Sequence, residues 1–254
     1  MAIVFTITNQ KGGVGKTTTA INLSAGMATQ GKKVLLIDID PQGNATSGLG
    51  IDKNNLNQCV YDVLIERVKI EEAVVPTAVD RLEMIPATIK LAGGEVELVP
   101  LPAREMRLLR AVEPIKSKYD FIIIDCPPSL GLLTVNALTA ANEVLVPIQC
   151  EFYALEGLTQ LLNSLNLVQH YLNPTLALRG IVLTMYDGRT NFSEEVAQEV
   201  RKHFDKKVFN SVIPRNIKLA EAPSHGKPII FYAPDSPGAC AYLNLAKEVI
   251  GNEF

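Results

Sequence analysis

One short run constrains this chain more than any other: Asn9-Gln10-Lys11-Gly12-Gly13-Val14-Gly15-Lys16-Thr17-Thr18, set between an apolar strand-like run, Ile3 to Thr8, and a helical stretch, Thr17 to Gln30. In a strand, loop, helix context the glycines let the backbone approach an anion and turn N–H groups inward, while the helix adds the positive end of its dipole. Such a loop cradles phosphates. Lys16 is placed to reach the β and γ phosphates of a nucleotide and the Thr17 hydroxyl to bind Mg²⁺. Gly12, Gly13, Val14, Gly15 and Thr18 complete the phosphate-binding set. A glycine-rich turn with a solvated lysine does not account for glycines, Gly-Lys-Thr and both flanking elements agreeing.

The rest of the chain fits a sheet around that loop. Apolar β-rich runs recur at Lys33 to Ile37, Phe121 to Ile124, Val144 to Ile148, Arg179 to Met185 and Val208 to Ile213, with an edge-strand candidate at Arg81 to Ile85. Helical stretches lie at Val60 to Arg67, Pro102 to Lys116, Gly157 to Tyr171, Ser193 to Phe204 and Ala239 to Ile250, and Gly31 is placed to cap the first helix. Nearly continuous apolar strands joined by helices predict an α/β fold, a doubly wound, mostly parallel sheet with helices on both faces. No linker or repeat divides the 254 residues, so residues 1–254 are expected to form one domain.

Composition removes several classes. No apolar run approaches the roughly 18 to 20 residues needed to span a bilayer. The N-terminus lacks a secretory signal pattern, which predicts a cytoplasmic protein. Cys59, Cys126, Cys150 and Cys240 are widely spaced and have no ligand-spaced histidines near them, which disfavours zinc or iron–sulfur sites. A net charge of -3 argues against a globally basic nucleic-acid binder but permits a local basic patch.

Two acidic strand ends complete the chemistry. Val34 to Asp40 places Asp38 and Asp40 at the carboxyl end of a strand, where open α/β sheets bind ligands. Read without further context, these two carboxylates either serve the site or cap the following turn. The run Phe121 to Asp125 is a buried strand ending in an acid, the Walker B arrangement, so Asp125 is expected to hold Mg²⁺.

The loop departs from the common phosphate-loop pattern: Gln10 stands five before Gly15, and an extra lysine, Lys11, precedes the glycine pair. In this deviant Walker A form the sequence resembles the ParA/MinD group of P-loop ATPases. The resemblance extends through Asp40 to Gly50, Asp125 to Leu138, Pro147 to Leu158, Thr184 to Asn191, Val212 to Asn216 and Glu221 to Ile229, where it is similar to the ParA/Soj branch. It implies an ATP-sandwiched homodimer in which Lys11 reaches the partner subunit's nucleotide. It also implies Asp40 as the carboxylate that positions the attacking water, with Asp38 nearer the Mg²⁺ shell. By the same resemblance Pro214 and Asn216 contact the adenine end of ATP, Met185 packs nearby, and Glu151 approaches nucleotide or the dimer interface.

Members of this branch bind DNA without sequence preference when ATP makes them dimeric. Arg189 matches a DNA-contacting arginine of the family. Lys218 stands where relatives tend to carry arginine, keeping the charge but losing the forked donor; Lys227 and Lys247 are weaker candidates. The resemblance implies partition of chromosome or plasmid DNA, nucleoid association, and a ParB-like centromere-binding partner that stimulates hydrolysis. The chain starts almost on its first strand, so the additional N-terminal DNA-reading domain of larger plasmid relatives is expected to be absent. The rival, a MinD-like membrane-positioning ATPase, needs a basic amphipathic C-terminal helix, whereas Leu245 to Phe254 is short and partly acidic. An iron–sulfur carrier lacks its paired cysteines, and a non-catalytic scaffold leaves Lys11 and Asp40 without a purpose.

Overall fold

The computed structural model describes residues 1–151 and 154–251. Phe152 and Tyr153, inside the Pro147 to Leu158 motif, and Asn252 to Phe254 of the C-terminal stretch lie outside the described residues. The strands are β1 (Ile3–Ile7), β2 (Val34–Asp38), β3 (Val75–Pro76), β4 (Leu82–Ile85), β5 (Phe121–Asp125), β6 (Glu143–Gln149) and β7 (Ala177–Thr184). Among the described residues they form one sheet in the order β3-β4-β2-β5-β1-β6-β7. Every neighbouring pair is parallel except β3 against β4.

The helices are α1 (Lys16–Thr29), α2 (Asn44–Gly48), α3 (Val60–Leu64), α4 (Lys90–Leu98), α5 (Arg107–Val112), α6 (Leu132–Ala140), α7 (Ala154–Tyr171), α8 (Asn191–Phe204), α9 (Ile217–Glu221), α10 (Ile229–Tyr232) and α11 (Pro237–Gly251). Because side chains alternate across a strand, each apolar strand supplies two cores. Phe5, Ile7, Leu36, Ile123 and Val182 join Ala20, Leu23 and Met27 of α1 and Tyr242 and Leu245 of α11 in one core. Val4, Leu35, Ile37, Ile122 and Ile124 join Leu108 of α5, Leu133 of α6 and Leu161 of α7 in the other. Each aliphatic side chain fully buried in this way contributes ~1.5–3 kcal/mol over an exposed one.

The register places chemistry at one edge. Asp125 at the end of β5 lies beside Ile7 of β1 and beside Asp38 of β2, so the phosphate loop leaves the sheet next to two adjacent carboxylates. β1 is also where the winding reverses, with chain-later β5 and β6 on its two sides, the usual ligand position in such sheets.

Three of the predicted segments differ in the structure. Val208 to Ile213 is not a strand: it touches β7 through a single bridge, Ile181 to Val208, and hydrogen bonds from Phe209 N to Ile181 O (3.0 Å) and Ile213 N to Leu183 O (2.8 Å). The amides between them turn away to the Glu248 carboxylate of α11, Asn210 N at 2.9 Å and Ser211 N at 2.7 Å. The β4 strand is not the edge, since β3 pairs outside it. Pro102 to Lys116 breaks into a 3₁₀ turn at Arg104–Met106, α5, and a second 3₁₀ turn at Glu113–Lys118 that carries Pro114, whose ring removes a helical donor.

Candidate nucleotide-binding site

The loop is shaped by its glycines and pinned by distant side chains. Gly13 and Gly15 sit at φ +75° and +87°, a region that costs other residues roughly 1–2 kcal/mol. Asn9 accepts from Lys11 N (3.0 Å) and donates to Pro147 O of β6 (2.8 Å). Thr184 at the end of β7 donates to Val14 O (2.9 Å), and Gln10 donates to Ser164 of α7 (3.0 Å). Lys16, 6% exposed, folds back over the loop to donate to Lys11 O (2.8 Å). Burial lowers its pKa, against the opposing pull of Asp125 and Asp40.

Beneath the loop lie the acids. Asp125 is completely buried, and no hydrogen bond of normal geometry reaches either of its carboxylate oxygens. Burial, then the neighbouring Asp38, raises its pKa well above the ordinary carboxylate range; the Thr17 hydroxyl and Lys16 counter this in part. Asp38 is also fully buried but well satisfied, accepting from Thr46 N (2.9 Å), Thr46 Oγ1 (2.8 Å) and Asp40 N (3.1 Å). Burial nonetheless lifts it to about 6. Asp40 accepts from Gln42 N (2.9 Å).

Two cavities meet at the loop. One of about 280 Å³ is lined by Gly12, Gly13, Gly15, Lys16, Thr17, Thr18, Asp40 and Met185, joined by Asn44 and Pro128. The second, about 370 Å³ and mostly apolar, is lined by Met185, Ile213, Pro214, Arg215, Asn216, Ile217 and Leu219 and shares Gly15, Thr18 and Met185 with the first. A polar cradle opening into an apolar slot suits a phosphorylated nucleotide with a flat base. A larger groove of about 790 Å³ between Lys33, Arg81 and Tyr119 opens elsewhere, among residues that include no phosphate loop.

The residues present therefore fit Mg²⁺-nucleotide: an orphaned buried carboxylate, a hydroxyl at Thr17 and a loop bent for an anion. Among the described residues no group of three or more His, Cys, Asp or Glu is arranged to hold a metal alone, so phosphate oxygens and water must supply the remaining ligands, as Mg²⁺ prefers.

The other expected residues divide. Pro214, Asn216 and Met185 wall the apolar slot. Lys11 is paired with Glu151, two residues beyond β6, and neither lines the two cavities. Arg189 is 87% exposed and forks onto Asp187, Nε to Oδ1 at 2.8 Å and Nη2 to Oδ2 at 2.6 Å. Lys218 reaches Glu221 at 2.9 Å and lies over the Tyr232 ring. Sequence reading missed Asn9, Thr46 and Thr184, each of which has a partner far along the chain, Pro147, Ala87 and Val14, that no local pattern announces.

A phosphate loop at the end of the central parallel strand, a buried strand-end acid beside it and a base slot alongside define a P-loop nucleotide hydrolase. Residues 2–178 match the AAA domain family. The chain is 61% identical to the sporulation initiation inhibitor protein Soj of Bacillus subtilis over 252 residues, covering 99% of this chain and 100% of that protein. It is 53% identical to the chromosome partitioning protein ParA of Myxococcus xanthus, covering 97% of this chain and 87% of that one. The solved structure of cobyrinic acid a,c-diamide synthase from Mycobacterium smegmatis, with bound ATP analogue and magnesium, superposes with a TM-score of 0.86 at 40% identity, over 98% of this chain and 95% of that chain. The chain belongs to the ParA/Soj family of P-loop ATPases. It is an ATP hydrolase that uses Mg²⁺.

Proposed function

We propose that this chain is a DNA-partitioning ATPase: ATP closes a homodimer that binds nucleoid DNA without sequence preference, and a ParB-like centromere-binding protein stimulates hydrolysis and release. Lys16 and the loop amides would hold the β and γ phosphates, and Thr17 and Asp125 the Mg²⁺, which when bound neutralises phosphate charge. Asp38 orders the β2 to α2 turn that carries Asp40, close to the metal shell. Asp40 would orient the water that attacks the γ phosphorus, giving ADP and phosphate. Lys11 would leave Glu151 to meet the phosphoryl group of the facing subunit, a cation supplied across an interface in the manner of an arginine finger. Glu151 would then be released to the interface.

The observation that carries the DNA reading is continuity. Met185 and Asn216 wall the base slot, and Arg189 and Lys218 follow on the same two segments, so nucleotide state and basic edge share one scaffold. The likeness to Soj and ParA supports the same conclusion. The membrane alternative is disfavoured, because Tyr242, Leu245, Ala246 and Val249 of α11 are buried in the core with α1.

Binding of random-sequence duplex and of anionic liposomes, each with ATP, ADP or no nucleotide, tests this reading. ATP-dependent, salt-sensitive DNA binding that Arg189→Ala abolishes is the expected result. Liposome binding without DNA binding would replace it with the membrane-positioning alternative.

A further inference from the structure

Arg215 sits between Pro214 and Asn216, and its side chain is exposed. Its backbone N donates to Tyr186 O (2.9 Å), and Tyr186 N donates to Ile213 O (3.1 Å). These bonds zip the 213–216 segment to the loop that carries Arg189. Three cations, Arg189, Arg215 and Lys218, therefore stand on one joined edge.

They differ in what holds them. Arg189 is forked onto Asp187 and Lys218 is paired with Glu221. Among the described residues no ion pair or side-chain hydrogen bond engages the Arg215 guanidinium, which reaches Asp187 only through its field, adding to the stronger effect of Arg189 on that carboxyl. A cation already paired in cis must exchange a carboxylate for a phosphate, whereas an unpaired one contributes its full charge on contact.

We infer that Arg215 is a DNA-phosphate contact, the one of the three that engages without first breaking an ion pair. The source of that phosphate follows from placement. Arg215 itself lines the apolar slot, between Pro214 and Asn216, but it does not line the cradle of Gly12, Gly13, Lys16 and Thr17 where the nucleotide's phosphates belong. The phosphates within its reach are then those of an external polymer. A guanidinium also suits phosphate through paired donors. This inference rests on the DNA-binding reading above.

The test measures affinity for a random-sequence duplex at saturating ATP, from about 50 to about 200 mM salt, for the intact protein, Arg215→Gln and Arg215→Lys, with ATP affinity measured alongside. Each phosphate contact contributes a slope of about 0.9 in log affinity against log salt. A dimer losing two contacts should therefore lose about ten-fold less affinity over this range than the intact protein does. Arg215→Lys, retaining the charge, should keep the intact slope when each protein is compared at an ATP concentration that saturates it. An unchanged slope in Arg215→Gln, with the intact protein binding DNA, overturns the inference and leaves the DNA reading standing. Weakened ATP affinity with an intact DNA slope also overturns it, reassigning Arg215 to the nucleotide. No DNA binding by the intact protein at any salt overturns the reading itself, and the inference with it.

Discussion

Asp125 is held where a free carboxylate is least comfortable: buried, with no hydrogen bond of normal geometry to either oxygen, and beside Asp38. Such a group costs stability in the empty protein and is repaid only when a cation arrives. Replacing Asp125→Asn should raise the melting temperature of the nucleotide-free protein by a few degrees at neutral pH while abolishing Mg²⁺-dependent ATP turnover; calorimetry and a phosphate-release assay read the two effects. The gain should grow with pH. Unfolded, this carboxyl ionises near 3.8; folded, it keeps its proton to higher pH, so its stabilising contribution is complete below that value and is lost as pH rises. A gain that shrinks from pH 5 to pH 7 would contradict this account. Asp125 was legible in the sequence because a strand of four apolar residues ends in an acid. The three groups that position the site, Asn9, Thr46 and Thr184, were not, since their partners are set by the fold rather than by neighbours in the chain.

At the level of elements, α2 is five residues long and depends on one threonine. Thr46 Oγ1 donates to Asp38 (2.8 Å) and accepts from Ala87 N (2.9 Å), and both partners are buried. Thr46→Val keeps the shape and leaves Asp38 Oδ2 its bond from Thr46 N (2.9 Å), but removes one donor to that oxygen and orphans the Ala87 amide, at about 1–3 kcal/mol for a buried group left unpaired. The expected outcome is a loss of roughly 1–3 kcal/mol in denaturant unfolding and a fall in ATP turnover as the turn carrying Asp40 loosens, with ATP binding largely kept. Turnover unchanged despite the lost stability would remove Asp38 and α2 from the site. Elements of this length carry little usable period, and α2, α9 and α10 escaped sequence reading while the longer α1, α7 and α11 did not; α3, as short as α2, was read at Val60 to Arg67. The opposite error at Val208 to Ile213 has a comparable cause: its apolar residues read as a strand, but Glu248 from α11 captures two of its amides. Periodicity reports burial, and only tertiary contacts decide which backbone partners are available.

For the whole molecule, the doubly wound sheet, the phosphate loop and both strand-end acids were visible from residue patterns, because each couples a local conformational demand to a chemical one. The state of Lys11 was not. In the described chain it is neutralised by Glu151, so a chain on its own withholds this cation, and Lys11→Ala should leave ATP binding intact while cutting turnover by about 10³-fold, the scale of a missing arginine finger. Asp40→Ala should likewise bind ATP without hydrolysing it, because the attacking water loses its orienting carboxylate. The central claim is that a complete site takes Lys16 and Asp40 from one subunit and Lys11 from the other. It is tested most directly by mixing Lys11→Ala and Asp40→Ala proteins, each inactive alone, under conditions in which the intact protein turns over ATP. In a two-fold dimer formed by random pairing, half the dimers are mixed and each carries one complete site. The mixture should therefore recover about a quarter of the intact rate. A mixture as inactive as its components, with dimers demonstrably formed, would place Lys11 in its own subunit's site and contradict the account.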